Sequence, residues 1–265
     1  MTDSCTTFMA SKAKVHVYRD AAAAGRAAAE EARGVIASAI SARGVARIIV
    51  GTGNSQDHLI DALTSDRQIQ WPQIEVFHLD EYVGMSIEHP ASFRGWLKRR
   101  VADVVVPRRV HYLNGDAPDL AKEMQRYAAE LARAPIDLAF IGFGENGHIA
   151  FNDPHDADFN DPLPVKKVIL DEICRRQQVG EGHFKSLESC PTTAVTLTCP
   201  IMLAAEAIIS VVPDRRKAQA VQNALLGEVS TACPASAVRE HSHASIYLDA
   251  PSASLLPRSL TGEAR

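Results

Sequence analysis

The sequence has no excess of basic charge. Among its 265 residues, Lys plus Arg number 28 and Asp plus Glu number 32, for a net charge of −4. A nucleic-acid binder concentrates positive charge, and this total carries no such footprint. Long apolar runs are also missing. The most apolar stretch, residues 198–213, contains Glu206 and falls short of the ~20 residues that a membrane-spanning helix needs. Residues 1–13 carry Asp3 and no continuous apolar segment, so they do not read as a secretory signal and are expected to form a loose tail ahead of one domain over 14–265. Five cysteines, Cys5, Cys174, Cys190, Cys199 and Cys233, include no C-x-x-C pair. That excludes a zinc ribbon and argues against a disulfide framework, so a reducing cytoplasm is the expected location. Ten histidines include no pair four residues apart, and no metal site is expected. Residues 156–160 resemble the opening of a calcium loop, but Asp161 stands where glycine is required and Lys167 where the closing acid belongs.

What is present is ordinary globular material, 46% hydrophobic and 23% charged, enough for a sizeable core. Helical and strand patterns alternate. Residues 21–42, 55–63, 92–104, 120–132 and 215–226 read as helices. The β-branched runs at 46–51, 74–79, 110–113, 136–142, 165–170, 207–212 and 244–248 read as strands. Such alternation predicts parallel βαβ units, hence a single-domain three-layer α/β/α protein with a mostly parallel sheet covered on both faces. In an open parallel sheet, ligands bind beyond the carboxyl ends of the strands. Three strand ends here lead into chemically loaded loops.

The first loop, Gly51-Thr-Gly-Asn-Ser-Gln56, joins a strand to a helix. Its glycines permit close approach of a ligand, and the free N–H groups of the helix start suit a phosphate. It lacks the lysine of a P-loop and the spacing of a dinucleotide fingerprint; taken alone, it also fits an ordinary turn. The second loop begins with Asp80, Glu81 and Tyr82, where a partly buried carboxylate could act as a general base or simply cap the next segment. The third, Gly142 to Pro154, sets His148 on a glycine-rich turn with Asp153 five residues on, the makings of a proton shuttle oriented by a carboxylate. Lys217, beside Arg215 and Arg216 at a helix start, could hold a phosphate from the far side or belong to a solvated basic turn.

Taken together, these residues resemble the glucosamine-6-phosphate deaminase (isomerase) family. The resemblance runs from about Ile48 to Leu255 and rests on Leu79 to Met85 with His89-Pro90, and on Gly142 to Pro154. Weaker matches lie at Tyr112 to Gly115, Thr193 to Thr196, Lys217-Ala218 and Cys233-Pro234. The sister family, the 6-phosphogluconolactonases, typically has Arg in place of Tyr82 and lacks the Phe151-Asn152 continuation. The resemblance implies a modified Rossmann-like fold and a hydrolase-type reaction without metal or cofactor. An amino-sugar phosphate opens, isomerises from aldose to ketose and loses ammonia. It implies Asp80 as the base between C2 and C1, His148 as the ring-opening proton carrier, and Asp153, where the family usually has Glu, as its tuner. Asn146 stands where many members have Asp. Thr52, Gly53, Asn54, Ser55 and Lys217 would hold the phosphate.

The family's usual Arg before a Phe-Phe pair is missing from Val179 to Phe184, and Arg175, Arg176 and His183 are the stand-ins considered, Arg175 first. The segment 155–162 replaces the Ser/Arg-rich stretch that some hexameric members use for an allosteric sugar phosphate, so no such activation is expected. The implied partner is a small amino-sugar phosphate, with no nucleic acid or membrane; family members range from monomers to hexamers, so a homo-oligomer is within the resemblance. Two other functions fit the same residues: a sugar-phosphate lactone hydrolase using His148 to activate water, and a non-catalytic sugar-phosphate sensor.

Overall fold

Capping chemistry delimits the first long helix. Asp20 accepts a hydrogen bond from the Ala23 backbone N–H at 2.8 Å, and Gly44 closes the far end at φ 75°, a left-handed conformation that glycine adopts without strain. The computed structural model describes residues 5–262. In chain order the elements are β1 (Cys5–Ala10), β2 (Ala13–Tyr18), α1 (Ala21–Arg43), β3 (Ala46–Val50), α2 (Asp57–Ser65), β4 (Ile74–His78), β5 (Asp80–Tyr82), α3 (Phe93–Leu97), α4 (Asp103–Val105), β6 (Arg109–His111), α5 (Leu120–Leu131), β7 (Leu138–Phe140), β8 (Val165–Ile169), α6 (Glu172–Gly180), β9 (Thr193–Leu197), α7 (Cys199–Leu203), β10 (Ala207–Val212), α8 (Ala218–Leu226), β11 (Ala244–Asp249) and α9 (Arg258–Thr261).

Eight strands form one sheet in the order β1-β2-β11-β10-β7-β3-β4-β6, parallel throughout except for the β1–β2 pair. The central strands are mostly apolar because each face is covered, with Arg47 and Ser210 as buried polar exceptions. Ile48 and Val50 of β3 face the side of α1 and α2, and Ile49 faces the opposite side; Leu138 and Phe140 of β7 divide from Ala139 in the same way. Period-two alternation thus splits one buried strand between two cores, the three-layer arrangement expected.

Three expectations are corrected. Residues 5–13 are not a loose tail: β1 and β2 form a hairpin at the sheet edge, with Ala10, Ala13, Val15 and Val17 buried. The strand β1 alternates between exposed and half-buried positions until Ala10, so it carries no apolar run to betray it. The run at 165–170 is not part of the parallel sheet. As β8 it joins a separate three-stranded antiparallel sheet, β5-β9-β8. That sheet and α6 enclose a third core of Tyr82, Phe93, Phe151, Val168, Cys174 and Phe184. The helix expected over 92–104 is broken by a π-type turn at residues 98–102. No helix among the described residues is long and apolar enough to cross a membrane.

Candidate active site

The three loops converge as the layout predicts. A cleft of about 520 Å³, its open mouth included, lies at the carboxyl ends of β3, β4 and β7 and is lined by Thr52, Gly53, Ser55, Asp80, His148 and Lys217. α6 and the residue after it supply a wall: Gln177, Gln178 and Glu181.

Asp80 enters the cleft because the chain changes sheets there. β4 ends at His78, and β5 begins at Asp80, which pairs with Thr196 of β9. Its neighbour Glu81 points the other way and is fully occupied. It accepts from Ser92 Oγ at 2.6 Å, from the N–H groups of Tyr82 (2.9 Å), Phe93 (3.3 Å) and Arg94 (3.0 Å), and from Arg94 Nε at 3.4 Å. Glu81 is therefore a cap on the start of α3. Asp80 is only 5% exposed, and no donor among the described residues reaches its carboxylate. Burial, and then the charge of Glu81, push the Asp80 carboxyl well above the usual carboxylate range. A buried, unpartnered carboxylate with a raised pKa is the equipment of a general base.

His148 is held by a relay. Its Nδ1 lies 3.0 Å from Asp153 Oδ1, and Asp153 is wholly buried. Burial would raise the Asp153 carboxyl, but hydrogen bonding and charge from His148, then hydrogen bonds from Asn146 and the Asp171 N–H, outweigh it and hold it below its ordinary value. Asn146 binds the assembly together. Its Nδ2 donates to Asp153 Oδ1 (2.9 Å) and Asp171 Oδ2 (2.8 Å), while its Oδ1 accepts from the His148 backbone N–H at 3.0 Å. Asn146 and Asp153 thus lie behind the histidine rather than on the cleft wall. The glycine before them has a steric reason: a Cβ on Gly144 would sit 2.2 Å from His148 Cε1. Ligand atoms of His148, Asp153 and Cys174 fall within 4.8 Å of one another, but burial pushes the Cys174 thiol well up, so it adds no negative charge to the set.

The opposite end holds the 51–55 loop and Lys217. Gly53 takes φ 100°, and Thr52 Oγ1 is buried with no hydrogen-bond partner among the described residues. Gln56 ties the loop to the end of β10, donating to Val211 O at 3.2 Å and to Ser55 Oγ at 3.0 Å. Lys217, 3% exposed, lies 3.3 Å from Glu181 Oε1. Glu181 also accepts from Gln177 Nε2 at 2.9 Å and faces His183 Nε2 at 3.5 Å. Burial works against its charge, yet His183 and Lys217 together hold its carboxyl down at about 2.

Two expected residues do not reach the cavity with their side chains. Asn54 is exposed and donates to the Glu181 backbone carbonyl at 3.1 Å. Arg175 is corrected: its guanidinium donates to the carbonyls of Leu187 and Cys190 (2.9 Å for the latter), stapling the loop after α6 instead of entering the site. Arg176 pairs with Glu172 on the surface. Sequence reasoning missed Gln177, Gln178 and Glu181. The sequence carries no pattern that marks them; in the structure both glutamines are buried, at 8% and 4% exposure, and buried amides demand partners. Gln178 Oε1 accepts from the Tyr82 hydroxyl at 2.9 Å, which seats α6 against the cleft.

The chain is 31% identical over 207 residues to the glucosamine-6-phosphate deaminase of Exiguobacterium sibiricum, covering 78% of this chain and 80% of that one. It is 29% identical over 237 residues to the glucosamine-6-phosphate deaminase of Bacillus cytotoxicus, covering 89% and 88%. Among solved structures it resembles a monomeric glucosamine-6-phosphate deaminase, with a TM-score of 0.83 at 28% identity over 91% of this chain and 99% of that one. The 6-phosphogluconolactonase of Trypanosoma brucei shares the fold, with a TM-score of 0.75 at 16% identity over 92% and 98%. Residues 19–247 match the family described as glucosamine-6-phosphate isomerases/6-phosphogluconolactonase, and the chain belongs to that family.

Proposed function

We propose that the protein is an amino-sugar phosphate deaminase that converts glucosamine 6-phosphate, or a close epimer, to the matching ketose phosphate and ammonia. The observation that carries this reading is the Asp80 carboxylate, buried and without a hydrogen-bond donor, in one cleft with the His148–Asp153 pair and an anion loop. The deaminase relatives at about 30% identity over most of the chain support it.

On this reading, the reaction divides between the two groups. His148, with Nδ1 committed to Asp153, presents Nε2 to the cleft and passes a proton to the ring oxygen as the sugar opens. Asp80 then takes the C2 proton and returns it to C1, which moves the double bond to C2 and leaves an imine there. Water adds to that imine and ammonia departs, so one water is consumed for each ammonia released. Thr52, Gly53, Ser55 and Lys217 hold the phosphate, fixing C2 against Asp80. A reducing compartment such as the cytoplasm suits five free thiols, four of them buried.

A coupled ammonia assay with glucosamine 6-phosphate tests the reading, with galactosamine 6-phosphate and 6-phosphogluconolactone alongside. Ammonia with fructose 6-phosphate is the expected outcome. No ammonia from either amino sugar, with hydrolysis of the lactone, would replace the deaminase reading with a lactonase.

A further inference from the structure

Lys217 is the single Lys or Arg among the described residues lining the cleft, and its charge is already matched by Glu181. An anion that enters while this pair is closed meets a carboxylate where it needs a cation, in a site shielded from water. Yet the pair is arranged to open. Glu181 keeps Gln177 at 2.9 Å and His183 at 3.5 Å as other partners, so leaving Lys217 does not strand a bare buried charge. Thr52 Oγ1, buried and without a partner, marks a polar position on the same side of the cleft that a ligand oxygen could satisfy.

Resting on the reading of Lys217 and the 51–55 loop as the phosphate end, we propose that Glu181 is an internal competitor of the substrate's phosphate. Lys217 passes from Glu181 to the phosphate on binding, Glu181 retreats onto His183, and the cost of this exchange sets how tightly the site holds a phosphorylated ligand. Glu181 is thus an affinity-determining residue that acts by occupying the seat, with no bond made or broken in the sugar.

Inorganic phosphate is the probe, titrated calorimetrically and by thermal melting at one pH and ionic strength. Glu181→Gln keeps the shape of the side chain and removes the competing charge, so phosphate should bind about tenfold more tightly than to the wild type. It should also raise the melting temperature of the variant more than that of the wild type. His183→Gln removes the resting place of Glu181 and should weaken phosphate binding severalfold. These shifts of opposite sign are what a merely structural ion pair would not produce. Unchanged or weaker phosphate binding by Glu181→Gln overturns the proposal. If that variant does not fold, unchanged binding by His183→Gln overturns it. A response to phosphate that persists in Lys217→Gln, while the wild type releases ammonia from glucosamine 6-phosphate, would overturn it and leave the deaminase reading standing. Loss of ammonia release, with the opposite shifts intact, would overturn that reading alone.

Discussion

The two ends of the cleft are prepared in opposite ways. At the acid–base end, every charged group that does not react is committed elsewhere: Glu81 to the start of α3, Asp153 to His148 and Asn146, leaving Asp80 free. At the anion end, the cation that should be free is engaged by Glu181. On the proposed reading, the first end is ready before the substrate arrives and the second must be opened by it. The difference follows the chain: Asp80 and His148 follow strands of the parallel sheet, whereas the counter-charge, Glu181, sits just past α6.

The comparison can be broken most sharply at Asp80. Asp80→Asn should lower turnover in the ammonia assay by roughly 10²–10⁴-fold while phosphate binding at the far end is kept. Its raised pKa also fixes a sign. A carboxyl raised in the folded state leaves stability intact below its unfolded value of 3.8 and costs stability as pH rises through the folded value. Asp80→Asn should therefore be more stable than the wild type near neutral pH, with the difference vanishing at low pH in urea titrations. Next in size is the relay. Asp153→Asn should cut kcat by about 10²-fold by freeing the His148 ring, and Asp153→Glu should recover most of it; equal loss in both would mean that Asp153 serves only packing.

The smallest effect sharpens the other end. The Glu181 carboxyl stands near 4.5 when unfolded and about 2 when folded, so its contribution is present above 4.5 and lost as pH falls from about 4.5 to about 2. Glu181→Gln should lower stability at neutral pH by about 1–3 kcal/mol and flatten this acid limb. An acid limb unchanged in the variant would show that Glu181 and Lys217 are not paired in solution.

Much of this was legible in the sequence, for a physical reason. β3, β4, β7, β10 and β11 are covered on both faces and so are rich in apolar residues, and the loops after β3, β4 and β7 carry chemistry in contiguous motifs. The antiparallel sheet was not legible. β5 is Asp80-Glu81-Tyr82, two acids and an aromatic, with no strand pattern of its own, and it is a strand because β9 pairs with it. Glu181 was missed for the same reason: it reaches Lys217 only because that sheet and the core around Tyr82 carry α6 to the cleft. Arg175 misled through nearness in sequence, since one turn of helix was enough to aim its side chain at Leu187 and Cys190 instead.

A single residue, Leu79, separates the strand that ends in the parallel sheet from the strand that begins the antiparallel one, and its carbonyl accepts from the Leu197 N–H at 3.1 Å. Asp80 therefore waits for a partner strand more than a hundred positions downstream. Contacts of that separation close late, because the loop between them must first be ordered. A nascent chain that has emerged only as far as β7 therefore carries Asp80 without the strand that seats it.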